Sequence, residues 1–265
     1  MNICMAGAKG KMGRRILDLA AAAEDIGIGS AFDLREFAGE DISAGAQDGD
    51  SEVVTLAPDA ATAMANADVL IDFTVAKVCL DNVRAATDAG KPSVIGTTGL
   101  TDAQKDELAD LAKTLPIVFA PNISVGVNLL FKLTRDAATV LGLDYNVEII
   151  DIHHNTKVDS PSGTAERLGE IAAEALDLDF AKETVRGREG IIGKRPKREI
   201  GIHALRGGDV PGEHTVVFLG QGERIELSHR AINRDNFARG ALIAAKFVAG
   251  ASPGLYDMQD VLGLR

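Results

Sequence analysis

The chain has 265 residues, which at roughly 150 residues per domain means one large domain or two modest ones, with no need for disulfide or metal staples. Against 28 Lys+Arg stand 39 Asp+Glu, and the net charge of −11 argues against a general nucleic-acid or anionic-membrane binder while leaving room for a local basic site. Apolar residues at 46% and charged residues at 25% are globular values and exclude a chain that is disordered throughout.

Up to about residue 120, short apolar runs at 2–6, 26–32, 69–73, 93–95 and 117–120 alternate with helical patterns, which predicts βαβ units and a parallel, doubly wound sheet. Met12, Ile16, Leu19, Ala20 and Ala23 recur at helical spacing, and Thr101-Asp102-Ala103-Gln104 has the form of a capping box opening a helix to about Leu115. Beyond Asn122 the pattern changes to a helix at 125–141, a strand at 146–152, a helix at 164–176 and strands at 197–205, 214–219 and 224–231. That order predicts an α+β layer with an open, mainly antiparallel sheet whose uncovered face would favour oligomers. A helix at 235–249 and the tail to Arg265 read as a return to the first domain, so the expected domains are 1–124 with 235–265, and 125–234.

The acidic, Gly-rich stretch 33–52 reads as a solvated loop, as does 182–198 with seven basic residues against two acidic, which could also collect an anionic substrate. Cys4 and Cys79 stand far apart without a CxxC or Cys/His ladder, so no disulfide scaffold or structural zinc is expected and a reducing cytoplasm is the simplest setting. No apolar run approaches the roughly 20 residues of a membrane helix, and residues 2–6 already read as a core strand, so neither signal peptide nor anchor is expected.

The first chemical signal is Gly7-Ala8-Lys9-Gly10-Lys11-Met12-Gly13, placed between a strand and a helix. Glycines there let the backbone approach a pyrophosphate, and the helix N-terminus stabilises the anion; a plain tight turn is the bland reading. Its spacing is GxxGxxG, not GxGxxG. Asp33 follows at the end of the second strand, where a carboxylate can accept hydrogen bonds from an adenosine ribose, and with the glycine loop it makes a nicotinamide dinucleotide the leading ligand. A mononucleotide P-loop is disfavoured because GxxxxGK[ST] is absent. The strand-end segments Gly96-Thr97-Thr98-Gly99 and Ala120-Pro121-Asn122-Ile123-Ser124-Val125-Gly126 would face the same crevice as the glycine loop, or be ordinary turns.

The third signal is Asp151-Ile-His153-His154-Asn-Thr-Lys157-Val-Asp-Ser-Pro-Ser162-Gly163-Thr164-Ala165, joining a strand to a helix. Adjacent histidines point in different directions, so one can exchange a proton while the other binds an anion; Lys157 adds a cation, and Ser162-Gly163-Thr164 offers N–H and hydroxyl donors. The alternative is a pair of surface histidines beside a helix cap; zinc fits poorly, since neither HExxH nor a cysteine partner is near. His203, His214 and His229 read as sheet residues without an assigned role.

Taken in order, these segments resemble the 4-hydroxy-tetrahydrodipicolinate reductase (dihydrodipicolinate reductase) family of the diaminopimelate route to lysine. The most specific piece is His153-His154 through Ala165, supported by Val94–Gly99, Ile71–Thr74, Gly212-Glu213-His214-Thr215 and Phe237–Ala241. The resemblance implies a Rossmann-like domain rejoined by the C-terminal helix, a substrate domain whose sheet assembles a homotetramer, and hydride transfer from NADH or NADPH to a small cyclic dicarboxylate with loss of water. It further implies that Gly7, Ala8, Lys9, Gly10, Lys11 and Met12 hold the pyrophosphate, Asp33 the ribose, and Gly96, Thr97 and Thr98 with Ala120, Pro121, Asn122 and Ile123 the nicotinamide end. By the same resemblance His153 is the catalytic acid/base and Lys157 the proton donor, while His154, Gly163 and Thr164 bind a substrate carboxylate. The residues alone leave open which of His153 and Lys157 delivers the proton.

Leu34 after Asp33 departs from members that carry a basic residue for a 2′-phosphate, which predicts NADH use with dual specificity through Arg35, Lys9 or Lys11; Ile123 replaces an aromatic residue. The competing readings are another two-domain Rossmann dehydrogenase acting on an amino or hydroxy acid, and a catalytically silent dinucleotide-binding regulator. The first leaves the His-His-x-x-Lys segment unexplained and the second has no need of His153 or Lys157.

Overall fold

The apolar runs of the first 120 residues become strands buried on both faces, as parallel strands between helical layers require. The computed structural model describes residues 1–45 and 51–265, and the chain divides into two units, Met1–Val125 with Arg234–Arg265, and Gly126–Asn233.

The first unit contains β1 (Asn2–Ala6), α1 (Lys11–Ala21), β2 (Gly27–Phe32), β3 (Asp41–Ala44), β4 (Glu52–Ala57), α2 (Ala60–Ala63), β5 (Val69–Asp72), α3 (Ala76–Asp88), β6 (Ser93–Ile95), α4 (Asp102–Leu111) and β7 (Pro116–Phe119). Its sheet, completed by β13 (Gly254–Tyr256), runs β13-β7-β6-β5-β1-β2-β4-β3, parallel throughout except for the β3–β4 pair. In α1 the buried residues are Gly13, Ile16, Leu17 and Ala20, one stripe at helical spacing, and each large member stabilises by roughly 1.5–3 kcal/mol. The capping box at α4 forms, with Gln104 N–H donating to Thr101 Oγ1 at 3.3 Å and Thr101 N–H to Gln104 Oε1 at 2.9 Å. The helix ends at Leu111, short of the predicted Leu115, where a turn leads into β7.

The stretch 33–52 is not simply a solvated loop. It carries a short 3-10 turn, Arg35–Phe37, and β3, whose Ile42 and Ala44 are buried against α1 and β4; part of the stretch, 46–50, lies outside the described residues. The single alternation of β3 is too short to stand out among its acidic neighbours, and β4 supplies the missing cover.

The second unit follows with α5 (Val125–Leu141), β8 (Asn146–His153), α6 (Gly163–Leu176), α7 (Phe180–Glu183), β9 (Thr184–Arg186), β10 (Ile200–Arg206), β11 (Glu213–Leu219) and β12 (Arg224–Arg230). Its sheet order is β12-β11-β8-β10-β9. The expected antiparallel pairing holds for β8–β11 and β11–β12, whereas β10 runs parallel to both β8 and β9, so the sheet is mixed. The reason is connectivity: a parallel partner needs a crossover, and α6 supplies it between β8 and the later strands. Along β8 burial alternates strictly, placing Val147, Ile149, Asp151 and His153 on one face, where the first two join the core with Leu168 and Ala172 of α6. In the first unit the chain resumes with α8 (Asp235–Ala249), β13 (Gly254–Tyr256) and α9 (Met258–Val261); β13 extends the sheet parallel to β7. Among the described residues no helix is long and apolar enough to cross a membrane.

Candidate active site

Because the strands of the first unit run parallel, their carboxyl ends share one sheet edge, and the chain reverses direction of winding at β1, between β5 and β2. The structure brings Gly7–Met12 after β1, Asp33 after β2, Gly96–Thr98 after β6 and Ala120–Ile123 after β7 to that edge. Gly7 has φ +81, and a Cβ on it would stand 2.7 Å from Phe73 O; a Cβ on Gly13 would overlap the Gly7 carbonyl oxygen. The loop therefore packs too tightly for side chains at either position.

Within the loop Gly7 N–H and Ala8 N–H donate to Phe32 O at 3.0 and 3.2 Å, and Gly10 N–H to Gly7 O at 3.1 Å. Those donors hold the loop's shape, while Gly10 as N-cap contributes no side chain to the first-turn N–H groups at Lys11, Met12 and Gly13. A helix start of this kind accepts an anion such as a pyrophosphate. Asp33 is oriented by two backbone donors, Lys9 N–H to Oδ2 and Leu34 N–H to Oδ1, both at 2.8 Å. Lys9 Nζ lies 2.6 Å from Glu40 Oε2 and 3.5 Å from the centre of the Phe37 ring.

Under the loops after β5 and β6 lies a residue that the sequence reading left unassigned. Asp72, fully buried, accepts from Thr74 Oγ1 at 2.7 Å, Thr97 Oγ1 at 2.6 Å and Asn82 Nδ2 at 2.8 Å, and Thr97 Oγ1 in turn accepts from Thr74 N–H at 2.8 Å. One carboxylate thereby ties the loops after β5 and β6 together. In the next loop Ser124 N–H donates to Asn122 Oδ1 at 3.0 Å, and Ile123 is buried against the core.

In the second unit the loop between β8 and α6 gathers His153, His154, Lys157, Gly163 and Thr164. His153 is 8% exposed; its Nδ1 meets Asp151 Oδ1 at 2.6 Å, off the line of a good hydrogen bond. His154, half-buried beyond the strand end, places Nδ1 2.7 Å from Thr156 Oγ1 and donates its N–H to Val210 O at 2.9 Å. Lys157 Nζ donates to both carboxylate oxygens of Asp159, at 2.7 and 2.8 Å. Gly163 is the first residue of α6; Ser162 is the N-cap, its Oγ accepting from Ala165 N–H at 3.2 Å.

The loop is organised from below by Asp151. Its Oδ2 accepts from Ser162 N–H at 2.8 Å and from Arg206 Nη2 at 3.3 Å, and the same Arg206 nitrogen donates to Asp159 O at 2.8 Å. His214, directly across the β8–β11 ladder from Asp151, lies with Nε2 3.6 Å from Asp151 Oδ1 and 3.0 Å from Ser162 Oγ. Burial alone would raise the Asp151 carboxyl, but contact with His153, the Ser162 N–H and the histidine charges outweigh it and hold it well below the usual carboxylate range. Burial pushes His214 down to about 4 against the pull of Asp151, so it is neutral at pH 7.

Asp151, His153 and His214 offer ligand atoms within 4.8 Å of one another. A tetrahedral zinc with legs of roughly 2.0–2.1 Å would hold its ligand atoms about 3.3 Å apart. At 2.6 Å, His153 Nδ1 and Asp151 Oδ1 stand too close together for that. His214 and Asp151 escaped the sequence reading because their partnership depends on strand register; the one local signal was that Asp151 and His153, two apart, share a strand face.

The basic stretch 182–198 is neither a plain solvated loop nor an array of uncommitted cations. Arg188 and Arg195 grip Glu148 Oε1 at 2.7 and 2.8 Å, Arg186 pairs with Glu166 and Arg198 with Glu183. Burial would raise Glu148, but hydrogen bonds from Arg188, Arg195 and His203 hold it down to about 2. Three of these cations, Arg186, Arg188 and Arg195, are engaged by carboxylates 20, 40 and 47 residues away in sequence, which weakens the expectation that this loop collects substrate.

A parallel sheet with a glycine loop at its reversal point, joined in one chain to a unit whose β8–α6 loop carries two histidines and a lysine, is the build of a nicotinamide-dinucleotide oxidoreductase. Comparison with known proteins narrows the class. The N-terminal family model of dihydrodipicolinate reductase matches residues 1–123 and the C-terminal model residues 126–262. The chain is 51% identical over 266 residues to 4-hydroxy-tetrahydrodipicolinate reductase of Anaeromyxobacter sp. (strain Fw109-5), covering 100% of this chain and 98% of the relative. It is 49% identical to that of Geotalea daltonii, with 100% of both chains covered. Among solved structures, dipicolinate-bound dihydrodipicolinate reductase from Paenisporosarcina sp. TG-14 shares the fold, at TM-score 0.76, 24% identity and 97% coverage of each chain. The chain belongs to the dihydrodipicolinate reductase family.

Proposed function

We propose that the chain reduces 4-hydroxy-tetrahydrodipicolinate to tetrahydrodipicolinate with loss of water, using NAD(P)H, in the diaminopimelate route to lysine. The observation that carries this reading is the β8–α6 loop, which pairs a buried histidine with a lysine and a helix start within one family-matched segment. The first unit serves as the dinucleotide-binding domain and the second as the substrate domain.

The glycine loop fits a dinucleotide, because its close packing leaves the helix start facing outward with no side-chain cap. Gly7, Ala8, Lys9, Gly10, Lys11 and Met12 would hold the pyrophosphate, Asp33 the ribose hydroxyls, and Gly96, Thr97, Thr98, Ala120, Pro121, Asn122 and Ile123 the nicotinamide end; when bound, the cofactor supplies a hydride. NADH is the preferred form and NADPH a second one: Leu34, 61% exposed, offers no charge to a 2′-phosphate, and Lys9 is engaged by Glu40.

His154, Gly163 and Thr164 bind a substrate carboxylate, with the α6 N-terminus favouring the anion. For each hydride added to ring carbon, one proton is taken up elsewhere in the ring system and water departs. His153 and Lys157 are the two groups able to deliver that proton, and Lys157 also offsets charge on the dianion. A homotetramer is supported by the sheet face opposite α6, where Leu205, 49% exposed, lies across from Ile152 and Leu219, 38% exposed, lies across from Asn146. Two buried free thiols, Cys4 and Cys79, support a reducing cytoplasm.

The test is oxidation of NADH and of NADPH by purified protein, with substrate generated in situ from pyruvate and aspartate semialdehyde by the preceding synthase. Rapid synthase-dependent oxidation, faster with NADH, is expected; folded protein that oxidises neither would contradict the reading.

A further inference from the structure

The buried carboxylate of Asp151 touches both halves of the loop above it: its Oδ1 meets the acid/base histidine, and its Oδ2 holds the backbone at the start of the anion-binding helix. An ionised carboxylate beside an imidazole nitrogen demands a proton on that nitrogen, since two acceptors do not face each other. The other ring nitrogen of His153, Nε2, lies beside Gly212, where φ is +152 and an added Cβ would stand 3.0 Å away. Glycine at this point keeps a side chain off that nitrogen.

We propose that Asp151 is a positioning residue: it keeps a proton on His153 Nδ1, directs proton exchange to Nε2, and through Ser162 sets the same histidine in register with the N-terminus of α6. The inference rests on the reductase reading for its kinetic consequences, though not for its structural ones. His214 completes the device as a neutral wedge, edge-on to His153 with ring centres 5.2 Å apart and against the Ser162 hydroxyl. Being uncharged at pH 7, it fills the space behind the carboxylate without competing for its charge. In turnover a proton leaving His153 departs from Nε2, the electron pair of that N–H bond stays on the ring, Nδ1 keeps its own proton, and solvent restores the first. Asp151 stays ionised throughout, as its depressed titration requires.

The groups around this pair are few and come from several elements. Asp151 faces His153 from its own strand and His214 from β11; His229 of β12, Lys157 and Asp159 of the loop, and Arg206 of β10 complete the charged and titratable surroundings. Of these only Asp151 presents a carboxylate to the His153 ring nitrogen. Replacing it with the neutral isostere Asp151→Asn removes the carboxylate that faces Nδ1 while keeping the volume.

The first experiment uses the full chain labelled with nitrogen-15 histidine, the His153 signals being assigned by their loss in His153→Gln. The expected result, read at a pH where the ring is neutral, is the remaining proton on Nδ1 in the wild type and redistribution toward Nε2 in Asp151→Asn. A wild-type His153 protonated on Nε2 overturns the proposal without any variant having to fold, and independently of whether the substrate assay succeeds. The second experiment is kinetic: Asp151→Asn lowers kcat roughly 100-fold and leaves the KM for NADH unchanged, with partial rescue in Asp151→Glu. An unchanged kcat, or a kcat loss matched by a raised KM for NADH and not rescued by Asp151→Glu, overturns it.

Discussion

The two loops at the centre of the molecule's chemistry are built on opposite principles. The glycine loop of the first unit works by subtraction: side chains are absent at Gly7, Gly10 and Gly13, backbone groups set its shape, and Asp33 is aimed by two N–H donors. The β8–α6 loop of the second unit works by side chains, and each is fixed by another, His153 by Asp151, Lys157 by Asp159, His154 by Thr156. Holding a constant ligand needs only shape and an aimed dipole, whereas moving a proton needs groups whose charge state is controlled. Substitutions in the first loop should therefore act on cofactor KM, and in the second on turnover.

The sharpest break comes from His153→Ala, expected to cut kcat by about two to four orders of magnitude with NADH binding, followed by nicotinamide fluorescence, unchanged. Lys157→Ala should lower kcat and raise the substrate KM together; wild-type kinetics in both variants would remove the proposed site. Next, Gly13→Ala drives a methyl into the Gly7 carbonyl, so the KM for NADH should rise at least about tenfold, with a stability loss of about 1–3 kcal/mol by thermal melting. Asp33→Ala forfeits charged hydrogen bonds to the ribose, and a rise in NADH KM of about 10- to 100-fold with kcat nearly constant is expected; an unchanged KM would end its ribose role.

The smallest effect concerns acid stability. His214 is buried neutral and its folded value lies near 4 against 6.5 unfolded, so the unfolded chain binds more protons between those limits. Its contribution to stability is complete above about 6.5 and is lost as pH falls toward about 4, at most about 3 kcal/mol in all. Asp151, His153, His229 and Lys157 act on it as well, and Asp151, also depressed, loses its own contribution only at still lower pH. Melting temperatures of His214→Gln should thus fall less steeply than wild type between pH 6.5 and 4; parallel curves would contradict this.

The same contrast explains what could be read from the sequence. A parallel strand buried on both faces is a bare apolar run, and a glycine loop after it is a local pattern, so β1, the turn and α1 were legible together. The β8–α6 segment was legible for the density of its chemistry. The β3 strand was not, because its single alternation is hidden among acidic residues and its cover comes from α1 and β4. Nor were the supports of the second loop, since His214 meets Asp151 only through the β8–β11 register, and Glu148 finds its arginines 40 and 47 residues away. Local chemistry announces itself in sequence, while the residues that position it are fixed by long-range pairing.

The most direct measurement follows the hydride itself. NADH doubly deuterated at C4 of the nicotinamide is supplied with synthase-generated substrate, and the tetrahydrodipicolinate formed is weighed by mass spectrometry. The account predicts product heavier by a single deuterium and, with His153→Ala under the same conditions and initial-rate time, at most about one hundredth of this transfer. Unlabelled product from the wild-type enzyme, or consumption of NADH without tetrahydrodipicolinate, would contradict it.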